Sequence, residues 1–569
     1  VFLRNLEHAL QYVDDQQTHI VPFDTAALDR IAKLLGARSA QSMLDEYRAV
    51  QTLVGDTFDA VFAEPAADKD GIQLTLAALG VQGSADDHAL IDDLKACGFA
   101  DSTATAQRLR SVLESRRMQS STEAARNGLQ RLLQRALQAV VAASSTSGAA
   151  HDIGPDEHFG RFTQLADVIA GRTTYITLLN QFPQAFERVM RMLAASRWAT
   201  DYLVRHPILL DELLDEPSLE YEPDWNAWSA EMRERLAEAK GDQEQQMNVL
   251  RDAHHAQVFR LLIADLDGRL TVERLADHLS ALADSALALA LESVWATLPR
   301  RHRESPRFAV IGYGKLGGKE LGYESDLDLI FLYDDNDPIA PELYAMLARR
   351  LVNWLNTQTS SGKLFEIDLR LRPDGNAGLM VSPFEAFSRY QRNEGEGRGA
   401  WPWEHQALTR ARFSAGDTAI GERFEAERCH VLAMPRDAVQ LRADVLAMRT
   451  RMLEGHPNPT DLFDVKHDRG GMVDVEFIVQ YLVLLCSRER RELLRNAGNI
   501  ALLQMAGEFG LIDEPLAREV ANAYREFRRI QHRLRLNGAD RARLPMQEVQ
   551  REVAAVKRLW SAVFEQSSE

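Results

Sequence analysis

The 569-residue sequence predicts a mainly α protein in which one α+β domain is flanked by helical domains. Three observations carry that expectation. Apolar stripes at helical spacing dominate the first half and return at the C-terminal end. Between them, Phe308–Ile311 and Asp326–Tyr333 read as two strands on either side of a glycine-rich turn. After a helical stretch from Pro341 to Gln358, Leu364–Leu371 (LFEIDLRL) returns as a further strand. The length exceeds one hydrophobic core and suggests roughly three to five domains.

Composition narrows the function classes. The formal net charge is −18, which argues against a long nucleic-acid partner, because phosphate-backbone affinity comes from clustered Lys and Arg. A local basic pocket for one nucleotide is still compatible with it. Cys97, Cys429 and Cys486 lie far apart without metal-ligand spacing, so neither a disulfide framework nor a zinc site is expected, and a reducing cytoplasm fits. No signal peptide is recognisable, and the most apolar stretch, Leu279–Leu298, carries Asp284 and Glu292. It reads as a buried helix rather than a membrane span.

In chain order, Val1–Tyr12 has Phe2, Leu6, Ala9 and Leu10 at helical spacing, and the stretch to Pro22 is similar to Phe527–Pro545, with His8 against His532 and Leu10 against Leu534. Two readings stand: chance likeness of amphipathic helices, or the end of a preceding copy of one module. Helical stripes follow, Met43, Tyr47, Val50 and Val54, then Leu129, Leu132, Leu133 and Leu137. Ala142–Gly154, small and polar, reads as a linker or exposed loop. A second helical region runs from Glu157 to Leu298, with Pro207 placed at a helix start. Its His254-His255 pair reads as surface histidines, since adjacent residues do not share a helix face.

The chemistry concentrates in Arg307–Tyr333, RFAVIGYGKLGGKELGYESDLDLIFLY. Strand alternation sets Asp326, Asp328, Ile330 and Leu332 on one face, so two carboxylates point the same way. Without a cation one of them is expected to hold a proton, and Mg²⁺, which favours carboxylates together with substrate phosphates, removes the conflict. Gly312, Gly314 and Gly317 fit G-x-G-x-x-G, but too few residues precede Ser325 for the helix that a dinucleotide fold requires. A P-loop fails as well, because the spacing to Gly318-Lys319 is one residue short and Glu320 follows. A polymerase-β-like nucleotidyltransferase suits the spacing. A glycine turn beside a solvated acidic strand end is the plainer alternative.

In Leu364–Leu371, alternation sets Glu366, Asp368 and Arg370 on one face, so Asp368 is a candidate third acid or base and Arg370 and Arg372 candidate phosphate contacts. Charged pairing on an exposed strand is the competing explanation. In Ala400–Arg412 (AWPWEHQALTRAR), Trp401 and Trp403 could flank a base and Arg410 and Arg412 could hold phosphates or an acidic partner; buried tryptophans beside a charged helix face serve equally. In Asp464–Leu485, Asp474 and Glu476 fall in the first turns of an apolar helix and suit its dipole, with Lys466 or Arg469 as candidate nucleotide or regulatory contacts.

Four ordered motifs, GYGKLGGKELGYESDLDLIFLY, EIDLRLRPDGNAGL, WEHQALTRAR and KHDRGGMVDVEF, make the chain resemble the glutamine synthetase adenylyltransferase family, whose bifunctional members add and remove an adenylyl group. The LGGKELGYESD wording resembles the C-terminal, adenylylating half. The resemblance implies AMP transfer from ATP to a tyrosine of glutamine synthetase, two Mg²⁺ ions on Asp326, Asp328 and Asp368, and phosphate contacts by Gly317, Gly318, Ser325, Lys315, Arg370 and Arg372. It also implies a PII-type signalling protein and glutamine as regulators, and a cytoplasmic setting with neither nucleic acid nor membrane as partner. The organisation expected from it is the end of a missing module at 1–22, a helical regulatory region at 23–141, a linker at 142–156 and a helical region packed on the catalytic domain at 157–298. The nucleotidyltransferase domain follows at 299–420 and a C-terminal helical bundle at 421–569. Glu394–Gly399 (EGEGRG) departs from the pattern as a glycine-rich insertion, and adenylyl removal is expected of the missing half.

Overall fold

Alternation along two strands explains how the middle of the molecule is built. The computed structural model describes residues 25–35, 87–145, 153–213, 222–373, 378–394 and 399–565, together with 37, 39–45, 47, 50 and 375. Strand β1 (Phe308–Gly312) pairs antiparallel with β2 (Leu327–Tyr333), from Phe308 opposite Tyr333 to Gly312 opposite Leu329. Phe308 and Val310 of β1 and Leu327, Leu329 and Phe331 of β2 enter one apolar core. Ala309, Ile311, Ile330 and Leu332 enter a second core on the opposite face. The sheet is therefore the shared layer between two helical layers, and period-two alternation is the reason both faces are apolar.

Three more strands complete the sheet. Strand β3 (Ile367–Asp368) and strand β4 (Val381–Pro383) both pair parallel with β2, and strand β5 (Arg412–Gly416) pairs antiparallel with β1. A separate two-stranded ribbon joins β6 (Phe463–Asp464) to β7 (Arg543–Leu544). The core on the Phe308 side is built from helices such as Glu123–Ser145, Pro155–Ile169, Gln243–Leu266, Val272–Thr297 and Ala340–Asn356. The core on the Ile330 side takes helices Met472–Cys486, Asn499–Glu508, Glu514–Leu536 and Gln550–Phe564.

The expected stripe Leu129, Leu132, Leu133 and Leu137 is fully buried. Met43 is buried as well and Tyr47 packs beside it. Helix Val272–Thr297 is long and apolar enough to cross a membrane by length and composition, yet it lies inside the first core. Its Asp284 accepts from Arg412 on β5 at 3.0 Å, an ion pair that a lipid-facing helix would leave unmade.

Several expectations are corrected. His254 and His255 are buried, not at the surface, because their helix is covered on more than one side. His255 stacks on His206 with ring centroids 4.1 Å apart, and His254 meets the Phe365 ring edge-on at 5.0 Å. Ala142–Ser145 belongs to a helix rather than a linker. Pro207 does stand at a helix start, and the helix it opens, Pro207–Leu213, is a 3₁₀ helix. The strand expected over Leu364–Leu371 shrinks to two residues. Asp368 Oδ1 accepts the backbone N–H of Arg370 at 2.8 Å, and that local bond turns the chain out of the sheet. The Val1–Pro22 segment, Val54, the 146–152 stretch, 374, 376–377 and 395–398 lie outside the described residues.

Candidate active site

The C-terminal end of β1 and the N-terminal end of β2 meet at one sheet corner, and the acids collect there. The Tyr313 N–H donates to the Asp328 carbonyl at 2.8 Å, and a short helical turn, Gly314–Gly317, follows. Asp328 sits in β2, on the same face as Ile330 and Leu332, directly opposite Asp368 of β3 in the parallel register. Asp326 stands just before the strand rather than within it. Gly314 has φ +56°, and a β-carbon there would run into the Asp328 carboxylate, so only glycine leaves that side chain its place.

Electrostatics ties the three acids into one site. Burial first, and then the charges of Asp326 and Asp368, push the Asp328 carboxyl up to about 6. Asp326 is held by Lys315, whose Nζ lies 3.2 Å from Oδ1. Asp368 is gripped by the Arg370 guanidinium, which keeps its carboxyl below the usual range. Asp328 makes no ion pair among the described residues.

A divalent ion can be tested against this arrangement. Among the described residues no three His, Cys, Asp or Glu side chains are gathered into a metal cage, and Lys315 and Arg370 explain why, since each draws one carboxylate to itself. The donor chemistry nevertheless fits a hard cation: three carboxylates whose charges bear on one another, with the central one left uncompensated.

The remaining sequence-predicted residues divide. Ser325 lines the same cleft as Asp326 and Asp328, and its hydroxyl accepts from the Gly322 N–H at 3.1 Å. Lys315 lines it too. Gly317 and Gly318 do not. Their N–H groups are already bonded to the carbonyls of Tyr313 and Gly314, and their Cα hydrogens face the backbone and guanidinium of Arg410. They are glycine because Arg410 lies against them, so phosphate binding through their amides is corrected. Arg372 is likewise turned inward, donating to the carbonyls of Leu369 at 2.7 Å and Gly378 at 3.3 Å, and it braces the loop after β3.

Arg410 and Arg412 do hold acids, but internal ones. Arg410 donates to Glu320 at 2.5 Å and lies 3.3 Å from Glu476, and Tyr524 donates to Glu320 at 3.0 Å. This buried cluster bolts the loop after the glycines to helices Met472–Cys486 and Glu514–Leu536. Neither Trp401 nor Trp403 is buried. Asp474 accepts from Arg449 at 2.6 Å and from the Gly470 N–H at 2.6 Å, which makes it a structural cap. Arg469 lies over the Trp560 ring and outside the cleft, whereas Lys466 lines it.

The cleft has a volume of about 640 Å³, within the range of small-molecule sites. Patterning missed one whole wall of it. Arg528, Gln531, His532 and Arg535 follow one another at i, i+3, i+4 and i+7 on helix Glu514–Leu536 and all line the cleft. The spacing was legible, but nothing local said which face would meet the acids. His532 is anchored by Asp265 at 2.7 Å, and the Tyr323 hydroxyl donates to the same carboxylate at 3.3 Å.

The corner thus belongs to the class of acid-centred sheet sites that open onto a cation-walled cleft of ligand size. Residues 186–427 match the family model described as glutamate-ammonia ligase adenylyltransferase. Residues 1–62 and 441–562 match a second, described as GlnD PII-uridylyltransferase. The chain is 51% identical over 566 residues to a protein of Ralstonia nicotianae named bifunctional glutamine synthetase adenylyltransferase/adenylyl-removing enzyme, covering 99% of this chain and 58% of the relative. Proteins of the same name from Burkholderia mallei and Chromobacterium violaceum are 48% and 46% identical, covering 99% and 100% of this chain and 61% of each relative. The similarity to these relatives runs along nearly the whole chain, which itself spans about three fifths of their length.

Proposed function

We propose that the chain transfers AMP from ATP to a tyrosine hydroxyl of glutamine synthetase, releasing pyrophosphate, in a domain of polymerase-β-like nucleotidyltransferase architecture. The observation that carries this reading is the register of Asp328 against Asp368, with Asp326 just before the strand and with Asp326 and Asp328 lining a cleft of about 640 Å³. The relatives' names supply the acceptor protein and the adenylyl group transferred. Asp326, Asp328 and Asp368 would hold Mg²⁺, two ions in the expected arrangement, and the metal would supply charge neutralisation at the reacting phosphate.

The chain's own residues do the rest. The acceptor oxygen attacks the α-phosphorus, the bond from that phosphorus to the bridging oxygen breaks, and pyrophosphate leaves with its electron pair. A tyrosine hydroxyl has a reference pKa near 10, so its proton must be taken up as the bond forms. Asp368 is the candidate base. Arg370 now occupies it, and transfer of that guanidinium to the incoming phosphates would free the carboxylate for the proton. Lys315 and Ser325 face the cleft where a phosphate would lie. Glutamine and a PII-type protein are the proposed regulators, in a cytoplasmic setting.

The test is intact-mass analysis of glutamine synthetase after incubation with the chain and Mg-ATP, which should show one added adenylyl group per modified subunit. Asp326→Asn or Asp328→Asn should abolish the addition, and undiminished addition by either would sink the assignment. The match of residues 441–562 to a uridylyltransferase model gives a second reading, transfer of UMP to a signalling protein. Mg-UTP in place of Mg-ATP, with a PII-type protein as acceptor, separates the two.

A further inference from the structure

The cleft that Asp326 and Asp328 line also has basic residues from a different part of the chain. Arg528 and Arg535 lie two turns apart on one face of helix Glu514–Leu536, and Lys466 reaches the same space from the loop after β6. None of the three side chains makes an ion pair or hydrogen bond among the described residues. Three carboxylates of the lining are already served, Glu320 and Glu476 by Arg410 and Glu324 by Arg205 at 2.8 Å, while Asp201 and Asp540 also line the cleft. The helix face is locked in rotation by His532 on Asp265 at 2.7 Å and by Arg525 on Glu273 at 2.6 Å. Three cations gathered without an ion pair of their own, in a chain whose net charge is −18, form a local surplus that only longer-range attraction to acids such as Glu320 and Glu476 offsets.

We propose that Arg528, Arg535 and Lys466 hold the terminal phosphates of the bound nucleoside triphosphate, so that the C-terminal helices supply the pyrophosphate half of the site. This rests on the adenylyl-transfer reading and deepens it. With the sheet acids at the α-phosphate, the terminal phosphates extend into the cleft, where Arg can bind phosphate in a forked, bidentate manner and Lys as a point charge. A nucleoside monophosphate, which ends at the acids, does not reach this wall. The helices then complete the site only when they are packed on the sheet, and the Glu320–Arg410–Glu476 cluster is the bolt that keeps them there.

Calorimetry of the full chain with Mg-ATP and with AMP tests the assignment. The variants are Arg528→Gln and Arg535→Gln, which remove no internal ion pair and should leave the melting temperature near that of the parent. Each is expected to weaken Mg-ATP about ten- to a hundredfold, the loss of a charge-assisted phosphate contact, while AMP binding stays unchanged. Two results overturn the inference alone: parental Mg-ATP affinity in both variants, or equal losses for Mg-ATP and AMP. A parent chain that binds no Mg-ATP overturns the adenylyl-transfer reading and this inference together.

Discussion

Asp328 sits where it does because residue 314 has no side chain. The left-handed backbone at Gly314 and the missing β-carbon together open the space that the carboxylate fills. Gly314→Ala should therefore displace Asp328 and reduce the proposed AMP transfer at least a hundredfold. Its stability cost should be only about 1 kcal/mol, because the clash falls on the end of a side chain and the rest is backbone strain. Labelling of glutamine synthetase and a melting curve on the same sample check both halves. The pair Asp326 and Asp328 was legible from spacing alone, and Asp368 from strand alternation. The roles of Gly317 and Gly318 were not, because a glycine that admits a phosphate and a glycine that admits an arginine look identical in sequence. Only the position of Arg410 across the fold tells them apart.

Among the elements, the loop from Gly318 to Ser325 is held from both sides. Glu320, Arg410, Glu476 and Tyr524 come from four stretches of chain and satisfy one another in the interior. Burial opposes the charge of Arg410, and the two carboxylates more than offset it, which raises its pKa. Arg410→Met should leave the buried Glu320 carboxylate and the partly exposed Glu476 without their ion-pair partner and cost about 3–5 kcal/mol, read as a lowered midpoint in chemical denaturation. Glu320→Gln with Arg410→Met should recover part of that loss, since it removes one of the stranded charges. The long helices were readable from their apolar stripes, whereas β3 was overestimated. An aspartate that bonds its own chain two residues on competes with the ladder, and the strand pattern carried no sign of which would win.

For the molecule as a whole, the helical layer on the Phe308 side carries a histidine group, His254 and His255 buried and His206 partly buried beside them. Burial is the first cause that lowers all three: His206 to about 4, His254 to about 3 and His255 to about 2. Their folded values lie below the unfolded value near 6.5, so their contribution to stability is fully present above that pH. It is lost as pH falls from 6.5 toward the folded values, because the unfolded chain then binds the extra protons. Each histidine that stays neutral contributes a slope of up to about 1.4 kcal/mol per pH unit in that window. Melting temperature measured from pH 8 to pH 5 should fall on the acid side, and His254→Asn should flatten that fall relative to its own plateau. An unchanged slope in the variant would show that carboxylates alone drive the loss. The reading of His254 and His255 as surface residues failed because helix-face geometry rules on one element only, while the Phe365 ring and the His206 ring arrive from elsewhere.

The sequence by itself determined the mainly helical class, the two central strands, the acids Asp326, Asp328 and Asp368, and the resemblance that names a donor and an acceptor. Those features are local: they depend on periodicity and on spacing within a few residues. The tertiary structure alone decided which arginines are bolts and which are free, which histidines are buried, and that the cleft's basic wall comes from residues roughly 140 to 210 positions beyond Asp326 and Asp328. Charge balance and burial are sums over neighbours in space, and no stretch of chain carries its neighbours with it.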